Sequence, residues 1–283
     1  MHSTGYQPLL TQASLNNLHQ VAAMDELGQL RQVQIAGESA LTIYLDKQEV
    51  VTLMTLGVRP EMLVLGYLWN QGLIDRLEQV RSLQVDWSVN AAAVVTHQGV
   101  GDISAKLAHR TVTTGCGQGT IFGDLMERID QIHLPEQVLQ QSDLYQLLHN
   151  LGQQNEIYRQ AGAVHGCALC RGTEVLSFVE DVGRHNAVDT LAGEMLLHGI
   201  DGSELIFYTT GRLTSEMVIK VTQMGIPTLL SRSGLTEMGL GLARKVGLTL
   251  IGRAKGRHFL VFNNAERIRL DPAHTLKEAS HGR

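Results

Sequence analysis

The chain has 283 residues and a mass of 31.0 kDa, which is enough for one large domain or two modest ones. Hydrophobic residues make up 43% and charged residues 18%, a balance that excludes membrane-spanning and intrinsically disordered proteins. The formal net charge of −5 argues against broad nucleic-acid binding, and three cysteines are too few for a disulfide framework. We therefore expect a cytoplasmic protein in a reducing compartment, without nucleic-acid or membrane partners.

The first part of the chain predicts a small α+β lobe. Residues 1–30 form an N-terminal extension without the pattern of a secretory signal. Strands over 32–36 and 41–45 flank a Gly37–Ser39 turn, which predicts a hairpin. A helix opens at Pro60 and ends near Gly72, and two further strands follow at 82–89 and 91–97. The lobe covers residues 31–110.

Strands and helices alternate through residues 111–270. The predicted strands lie at 176–178, 205–208, 228–230, 248–251 and 259–262, and the predicted helices at 187–196, 215–224 and 237–246. This alternation predicts a three-layer α/β domain with a largely parallel sheet. A polar tail over 271–283 completes the chain.

Two loops that follow neighbouring strands have the composition of a phosphate site. They read Thr209-Thr210-Gly211-Arg212 and Ser231-Arg232-Ser233-Gly234. Ligands gather at the carboxyl ends of strands in open α/β sheets, and hydroxyls with guanidinium groups suit phosphate. The alternative is that the hydroxyls cap helices and the arginines are solvated. The basic turn over 252–258 is either a second phosphate contact or a solvated hairpin.

A dense polar segment occupies another strand-to-helix junction, Glu180-Asp181-Val182-Gly183-Arg184-His185-Asn186. His185 is a candidate for proton transfer near neutral pH, with Asp181 or Glu180 orienting it or Arg184. The alternative is an internal ion pair with Asn186 as the helix N-cap.

The three cysteines divide into one loop residue and one pair. Cys116 lies in a glycine-rich polar loop over 113–120, where accessibility favours a reactive thiol. Cys167 and Cys170 are expected at a helix start, on one helix face, and core packing, a resolving dithiol and a metal site all stay open. No metal site is predicted. A zinc deaminase needs a His-x-Glu or Cys-x-Glu arrangement and Pro-Cys-x-x-Cys, and the sequence has neither.

With these residues assembled, the chain resembles the formate dehydrogenase accessory sulfurtransferase family (FdhD/NarQ) from about Ile35 to Phe262. The motifs that carry the resemblance are Leu63-Val64-Leu65-Gly66-Tyr67-Leu68 with Gly72, Gly115-Cys116-Gly117, Glu180 to Asp189, Thr210-Gly211-Arg212 with Glu216-Met217, Gly225-Ile226-Pro227, Ser231-Arg232-Ser233 and Leu250-Ile251-Gly252.

The resemblance implies a cytidine-deaminase-like α/β/α fold and a sulfur carrier that matures a molybdenum or tungsten enzyme. A cysteine desulfurase loads sulfur onto a loop cysteine as a persulfide, and Cys116 matches that position. The sulfur then passes to a bis-molybdopterin guanine dinucleotide cofactor (Mo-bis-MGD) before its insertion into formate dehydrogenase. The implied cofactor contacts in the last strand are Phe259, Leu260, Val261, Phe262, Asn263 and Asn264, and a homodimer is expected.

The chain departs from the family pattern at the second loop cysteine. The family loop usually reads Cys-Gly-x-Cys-Gly, and here Gly119 takes the place of the second cysteine. A dithiol relay within the loop is therefore impossible. One hypothesis is that Cys167 or Cys170 replaces the missing thiol, and an alternative function is a non-catalytic chaperone that binds the cofactor, as a divergent paralogue.

Overall fold

The computed structural model describes residues 5–101, 103, 129 and 131–272. The strands of the described chain are β1 (Leu9–Leu10), β2 (Leu18–Met24), β3 (Leu30–Ala36), β4 (Ser39–Leu45), β5 (Gln48–Thr55), β6 (Val80–Asp86), β7 (Ala91–Thr96), β8 (Leu139–Gln140), β9 (His165–Arg171), β10 (Glu174–Asp181), β11 (Ile206–Thr209), β12 (Thr228–Ser231), β13 (Thr249–Lys255), β14 (His258–Asn263) and β15 (Ile268–Arg269). The helices are α1 (Pro60–Asn70), α2 (Gln141–Gln154), α3 (Glu156–Ala161), α4 (Arg184–His198), α5 (Ser215–Gln223) and α6 (Glu237–Val246), and short 3-10 turns lie at Leu77–Gln79 and Ala265–Arg267.

The chain divides into two compact units. Unit 1 comprises Met1–Ile129, Asn155–Cys167 and Val179–Asp201, and unit 2 comprises Asp130–Gln154, Ala168–Phe178 and Gly202–Arg283. None of the described helices combines the length and apolar composition that crossing a bilayer requires. The mixed α/β class is confirmed. The boundaries expected at 30/31, 110/111 and 270/271 stay predictions.

Unit 1 contains a five-stranded sheet in the order β1-β6-β7-β4-β5. Alternating side chains of β4 and β6 bury Leu41, Ile43, Leu45 and Leu83 in one core, which also takes Leu63 and Tyr67 from α1. The predicted helix after Arg59 is confirmed, with proline in its first turn and Gly72 just beyond its end.

The hairpin predicted around Gly37–Ser39 is wrong. β3 pairs antiparallel with β2 in a separate two-stranded ribbon, whereas β4 pairs with β5 and β7. The peptide N–H of Gly37 donates to the carbonyl of Asn17 at 2.7 Å, so the chain leaves the ribbon at this point instead of turning back on itself.

Helices α1 and α4 pack closely in unit 1 through two glycines. An added Cβ at Gly66 would overlap the carbonyl oxygen of Asp189, and one at Gly193 would overlap that of Met62. Beside this crossing, the Asn70 amide donates to the Asp189 carboxylate at 2.7 Å, and Arg59 pairs with Glu194 at 2.7 Å. The two backbones therefore approach more closely than any side chain permits.

Unit 2 is built on the sheet ordered β10-β9-β11-β12-β13-β14, of which β9 and β10 contribute residues to both units. β11, β12 and β13 pair parallel in sequence, and β14 returns antiparallel to β13. The predicted alternation is confirmed, and α6 has the predicted bounds. The core of unit 2 takes Leu144 and Leu147 from α2 and Ile206, Leu230 and Ile251 from the sheet.

Replacing Gly66 with alanine is expected to lower the free energy of unfolding by about 3 kcal/mol, because helix backbones must move apart to admit the methyl group. Thermal and denaturant unfolding of the purified variant measure this. The control is Gly241→Ala in α6, where an added Cβ meets no atom within 4 Å. It should be neutral or stabilising by up to ~1 kcal/mol. Equal stability of Gly66→Ala and wild type would contradict the close crossing.

Candidate functional site

The carboxyl ends of β11 and β12 lie side by side in unit 2. Thr209 is in register with Ser231, and the N–H of Arg232 donates to the Thr209 carbonyl at 3.1 Å. The Ser231 hydroxyl donates to the Gly211 carbonyl at 2.6 Å. The two loops predicted to hold phosphate are therefore brought together and joined by hydrogen bonds.

The hydroxyls that end these strands shape their own loops. Thr209 Oγ1 accepts from the N–H of Gly211 at 3.0 Å, and Ser231 Oγ accepts from the N–H of Ser233 at 2.9 Å. Both residues are fully buried, whereas Arg212 and Arg232 are exposed. Of these four residues, the two arginines are the ones exposed to solvent.

The neighbouring strand β13 adds a third arginine to the same edge. The N–H of Arg253 donates to the Ser233 carbonyl at 2.8 Å, and its side chain is exposed. Arg253 has a φ of 54°, in the left-handed region, at a register shift between β13 and β14. We call residues 209–212, 231–233 and 252–253 the rim. Arg212 and Arg232 follow the ends of β11 and β12, and Arg253 lies in β13 two residues beyond its last pairing with β12. The rim thus presents three cationic side chains at one edge of the parallel part of the sheet, an arrangement suited to a phosphorylated ligand.

The six residues implied as cofactor contacts lie on β14 and just after it. Phe259 packs against Tyr145 with ring centroids 5.8 Å apart. The Asn263 amide donates to the Leu248 carbonyl at 2.8 Å, and the Asn264 amide donates to the Gly247 carbonyl at 2.8 Å. These two amides hold the turn between α6 and β13. Phe262 approaches Gly252 of the rim, where an added Cβ would lie 3.0 Å from its ring. The contact roles of all six residues stay predictions.

Arg184 and His185 begin α4 in unit 1, and both are buried, with 5% and 1% of their surface exposed. The carboxylate of Glu180 accepts from the N–H groups of Ile157 and Tyr158 at 2.8 and 2.9 Å, at the start of α3. The negative charge of Glu180 therefore lies at the N-terminus of α3, where it interacts favourably with the helix dipole.

Asp181 is the most heavily bonded carboxylate of the dense polar segment. It accepts from the Thr55 hydroxyl at 2.5 Å, the Leu56 N–H at 3.0 Å, the Gly183 N–H at 2.9 Å and the Asn186 amide at 2.8 Å. Burial raises the pKa of the Asp181 carboxyl, and these four hydrogen bonds oppose the shift. Gly183, not Asn186, is the N-cap of α4. Asp181 therefore joins β5 to the start of α4.

Cys167 and Cys170 lie in strand β9, so the predicted helix start is wrong. A spacing of three places them on opposite faces of a strand, whereas it would place them on one face of a helix. Both side chains have 0% exposure and neither forms a disulfide, and burial raises the pKa of Cys170 to about 12. A resolving dithiol formed by this pair is incompatible with the strand.

Cys116 and its loop lie outside the described residues, so its predicted reactivity stays a prediction. Across the parts of the chain that the structure describes, no group of three or more His, Cys, Asp or Glu side chains could hold a metal ion.

Sequence reasoning missed a buried ion pair directly after the rim. Lys220 Nζ lies 3.6 Å from Glu216 Oε1 in α5, and the two side chains are 1% and 3% exposed. The spacing of four residues in a predicted helix was the available signal. Glu216 lies in the first turn of α5, which follows rim residues 209–212 in the sequence. Lys220 neutralises its negative charge.

Comparison with known proteins identifies the family of the chain. The model of the FdhD/NarQ family matches residues 36–269. The chain belongs to the FdhD/NarQ family. This confirms the resemblance drawn from the sequence motifs.

Individual FdhD/NarQ relatives match nearly their full length. The chain is 28% identical to the sulfur carrier protein FdhD of Listeria monocytogenes, over 88% of this chain and 98% of that protein. It is 29% identical to the sulfur carrier protein FdhD of Bacillus subtilis, over 86% and 94%. A crystal structure from Desulfotalea psychrophila, of a protein proposed to be a formate dehydrogenase accessory protein, has a TM-score of 0.72 and 28% identity, over 91% and 100% of the two chains.

Iodoacetamide at pH 8 is expected to leave Cys167 and Cys170 of this FdhD/NarQ protein unmodified in the native state. Alkylation requires an accessible thiolate, and both side chains are 0% exposed. For Cys170, a pKa of about 12 also lowers the thiolate fraction about a thousandfold below that of an ordinary cysteine at this pH. Peptide mass spectrometry identifies the modified positions. In guanidinium chloride both should react. Modification of either residue in the folded protein would contradict their burial in β9.

Proposed function

We propose that the protein is a sulfur carrier that accepts sulfur from a cysteine desulfurase as a persulfide on Cys116 and passes it to Mo-bis-MGD for formate dehydrogenase. The observation that carries the proposal is the rim, because three exposed arginines at adjacent strand ends match the phosphates of a guanine dinucleotide. The relatives from Listeria monocytogenes and Bacillus subtilis are named sulfur carrier proteins, which supports the same role.

The fold of unit 2 is proposed to be the cytidine-deaminase-like α/β/α arrangement. The strand order β10-β9-β11-β12-β13, with parallel pairing from β11 to β13, supports it. Such a sheet opens its carboxyl edge to ligands, which is the edge that carries the rim.

Cofactor recognition is proposed to use the phosphate groups as its main anchors. Arg212 and Arg232 supply fixed positive charge and paired donors to the pyrophosphate oxygens. Ser233 and Thr210, both partly exposed, add hydroxyl donors beside them. Arg184, His185 and residues 259–264 complete the proposed set of contacts.

Loading of Cys116 exchanges one sulfur–sulfur bond for another. The Cys116 thiolate attacks the terminal sulfur of the desulfurase persulfide, and the desulfurase cysteine leaves as a thiolate. Release of that sulfur as hydrosulfide needs two electrons. A second thiol supplies them by attacking the inner sulfur of Cys116, which forms a disulfide and frees a proton and the hydrosulfide ion.

The proposed partners are the cysteine desulfurase as donor, the catalytic subunit of formate dehydrogenase as client, and a second copy of the chain in a homodimer. The proposed location is the cytoplasm.

Incubation with a cysteine desulfurase and cysteine should add about 32 Da, the mass of one sulfur atom, to Cys116. Intact-protein and peptide mass spectrometry locate the adduct. Cys116→Ser should abolish both the adduct and formate dehydrogenase maturation, while a Cys167→Ala, Cys170→Ala double variant serves as the control and keeps both. Lack of an adduct under conditions that load an established carrier would reject the proposal.

A non-catalytic cofactor chaperone is the second candidate function. Gly119 in place of the second loop cysteine, together with the burial of Cys167 and Cys170, favours it. Full maturation by Cys116→Ser, with guanine-nucleotide binding intact, would establish the chaperone in place of the carrier.

Arg212→Ala and Arg232→Ala are each expected to weaken binding of guanosine diphosphate about 10- to 100-fold, because each removes a charge-assisted contact to phosphate. Isothermal titration calorimetry measures the dissociation constants. Arg244→Ala is the control, since Arg244 is exposed in the last turn of α6, away from the rim. Equal affinity in all three variants would show that the rim does not bind phosphate.

A further inference from the structure

The ribbon of β2 and β3 is too exposed to be stable by itself. Its strands pair with each other in a two-stranded sheet, and every residue from 18 to 36 is partly or fully exposed. Met24, Leu27 and Leu30 expose 72%, 73% and 80% of their surface. Two-stranded hairpins are marginal in water, and α3 is the described element that packs beside β3. The ribbon therefore needs a further partner surface.

The register shows which backbone groups of β2 face outward. Hydrogen bonds from Gly37 N–H to the Asn17 carbonyl and from Asp25 N–H to the Gln29 carbonyl fix the two ends of the ribbon. Bonded and non-bonded pairs alternate in an antiparallel ladder, so residues 19, 21 and 23 bond to β3. The N–H and C=O groups of residues 18, 20, 22 and 24 point to the outer edge of β2. In the described chain these outward groups have no hydrogen-bond partner.

The outer edge of β2 has none of the usual protections against strand pairing. Proteins shield edges with charged side chains, prolines or bulges. The strand Leu18-His19-Gln20-Val21-Ala22-Ala23-Met24 contains no Asp, Glu, Lys, Arg or Pro, and its pairing with β3 runs without a register shift. Of the charged residues in the adjoining turn and in β3, Arg31 and Asp25 form an ion pair at 2.8 Å, and Glu26 lies in the turn beyond the end of β2. The edge of β2 itself is regular and neutral.

We propose that β2 pairs antiparallel with β2 of a second copy of this chain, which joins the two ribbons into one four-stranded sheet. Antiparallel pairing of identical strands closes a two-fold dimer, and a neutral strand meets its own copy without like-charge repulsion. With the axis at Val21, Gln20 lies opposite Ala22 of the second copy, and Leu18 lies opposite Met24. Every outward backbone group then has a partner.

The composition of β2 fits this occupant. In the proposed dimer the two Val21 side chains meet at the axis, and Leu18 packs on Met24 at each end. These are the β-branched and apolar cross-strand pairs that stabilise sheets. The inference deepens the proposed homodimer and is independent of sulfur transfer.

A proline scan of the two ribbon edges tests the interface. Ala22→Pro removes an outward N–H that bonds nothing in β3, so the ribbon keeps its ladder and the dimer is lost. Gln32→Pro is the matched control, because Gln32 lies directly opposite Ala22 and faces the other edge. Sedimentation equilibrium should find dimers for wild type and Gln32→Pro and monomers for Ala22→Pro.

Disulfide trapping provides a test that does not depend on destabilising the chain. In a Cys116→Ser background, Val21→Cys should form a covalent dimer on mild oxidation, because a non-bonded antiparallel pair places its Cα atoms about 4.5 Å apart. Val33→Cys, opposite Val21 on β3, should stay monomeric on a denaturing gel. A dimer that survives Ala22→Pro, or equal trapping of both cysteines, would overturn the ribbon interface and leave the homodimer. A wild-type monomer at about 100 µM would overturn both.

Discussion

Main-chain pairing of β11, β12 and β13 is the constraint on which the candidate site depends. Parallel strands run to one edge, so the loops after β11 and β12 and the segment of β13 around Arg253 share a small volume. Each loop is then tied to the preceding one, by Arg232 N–H to the Thr209 carbonyl and by Arg253 N–H to the Ser233 carbonyl. The buried polar groups are used within the loops, and the guanidinium groups of the rim project outward. Three like charges at one edge repel one another, and an anionic ligand relieves that repulsion.

The densest polar segment of the sequence contains two carboxylates that are held by hydrogen bonds. Glu180 and Asp181 belong to the richest polar segment of the chain, yet backbone N–H groups and short side-chain donors occupy both carboxylates. A buried charge is costly unless it is fully hydrogen-bonded, so such a group holds its donors firmly in place. These two carboxylates therefore hold β5, α3 and the start of α4 together within unit 1.

The predictable parts of the fold have either a clear hydrophobic periodicity or residues that mark the ends of a helix. Helix α6 follows a capping threonine and stops at a left-handed glycine, and both its ends were predicted. Strand β9 was taken for a helix start because a strand buried on both faces, Cys167-Ala168-Leu169-Cys170, has no alternation to identify it. The β2–β3 pairing was missed because β2 is exposed along its length and has no alternation of apolar and polar residues, so residues 1–30 were interpreted only as an extension. The proximity of the two rim loops was predictable because loops of similar composition follow strands that are neighbours in the parallel sheet.

The Glu216–Lys220 pair was missed because its burial depends on tertiary packing.

The burial of two cysteines bears directly on how a sulfur carrier of this sequence works. Delivery of sulfane sulfur as sulfide requires two electrons, and a neighbouring thiol can supply them only as a thiolate in contact with the persulfide. Gly119 carries no thiol, and a Cys170 pKa of about 12 keeps that side chain protonated at neutral pH. Cys167 faces the opposite side of β9 and is equally inaccessible. Under the proposed persulfide mechanism, the thiol that reduces the Cys116 persulfide comes from another molecule, either a small thiol or a protein partner. Release of sulfur then depends on the collision of the loaded carrier with that thiol. Loading and release are therefore separate steps.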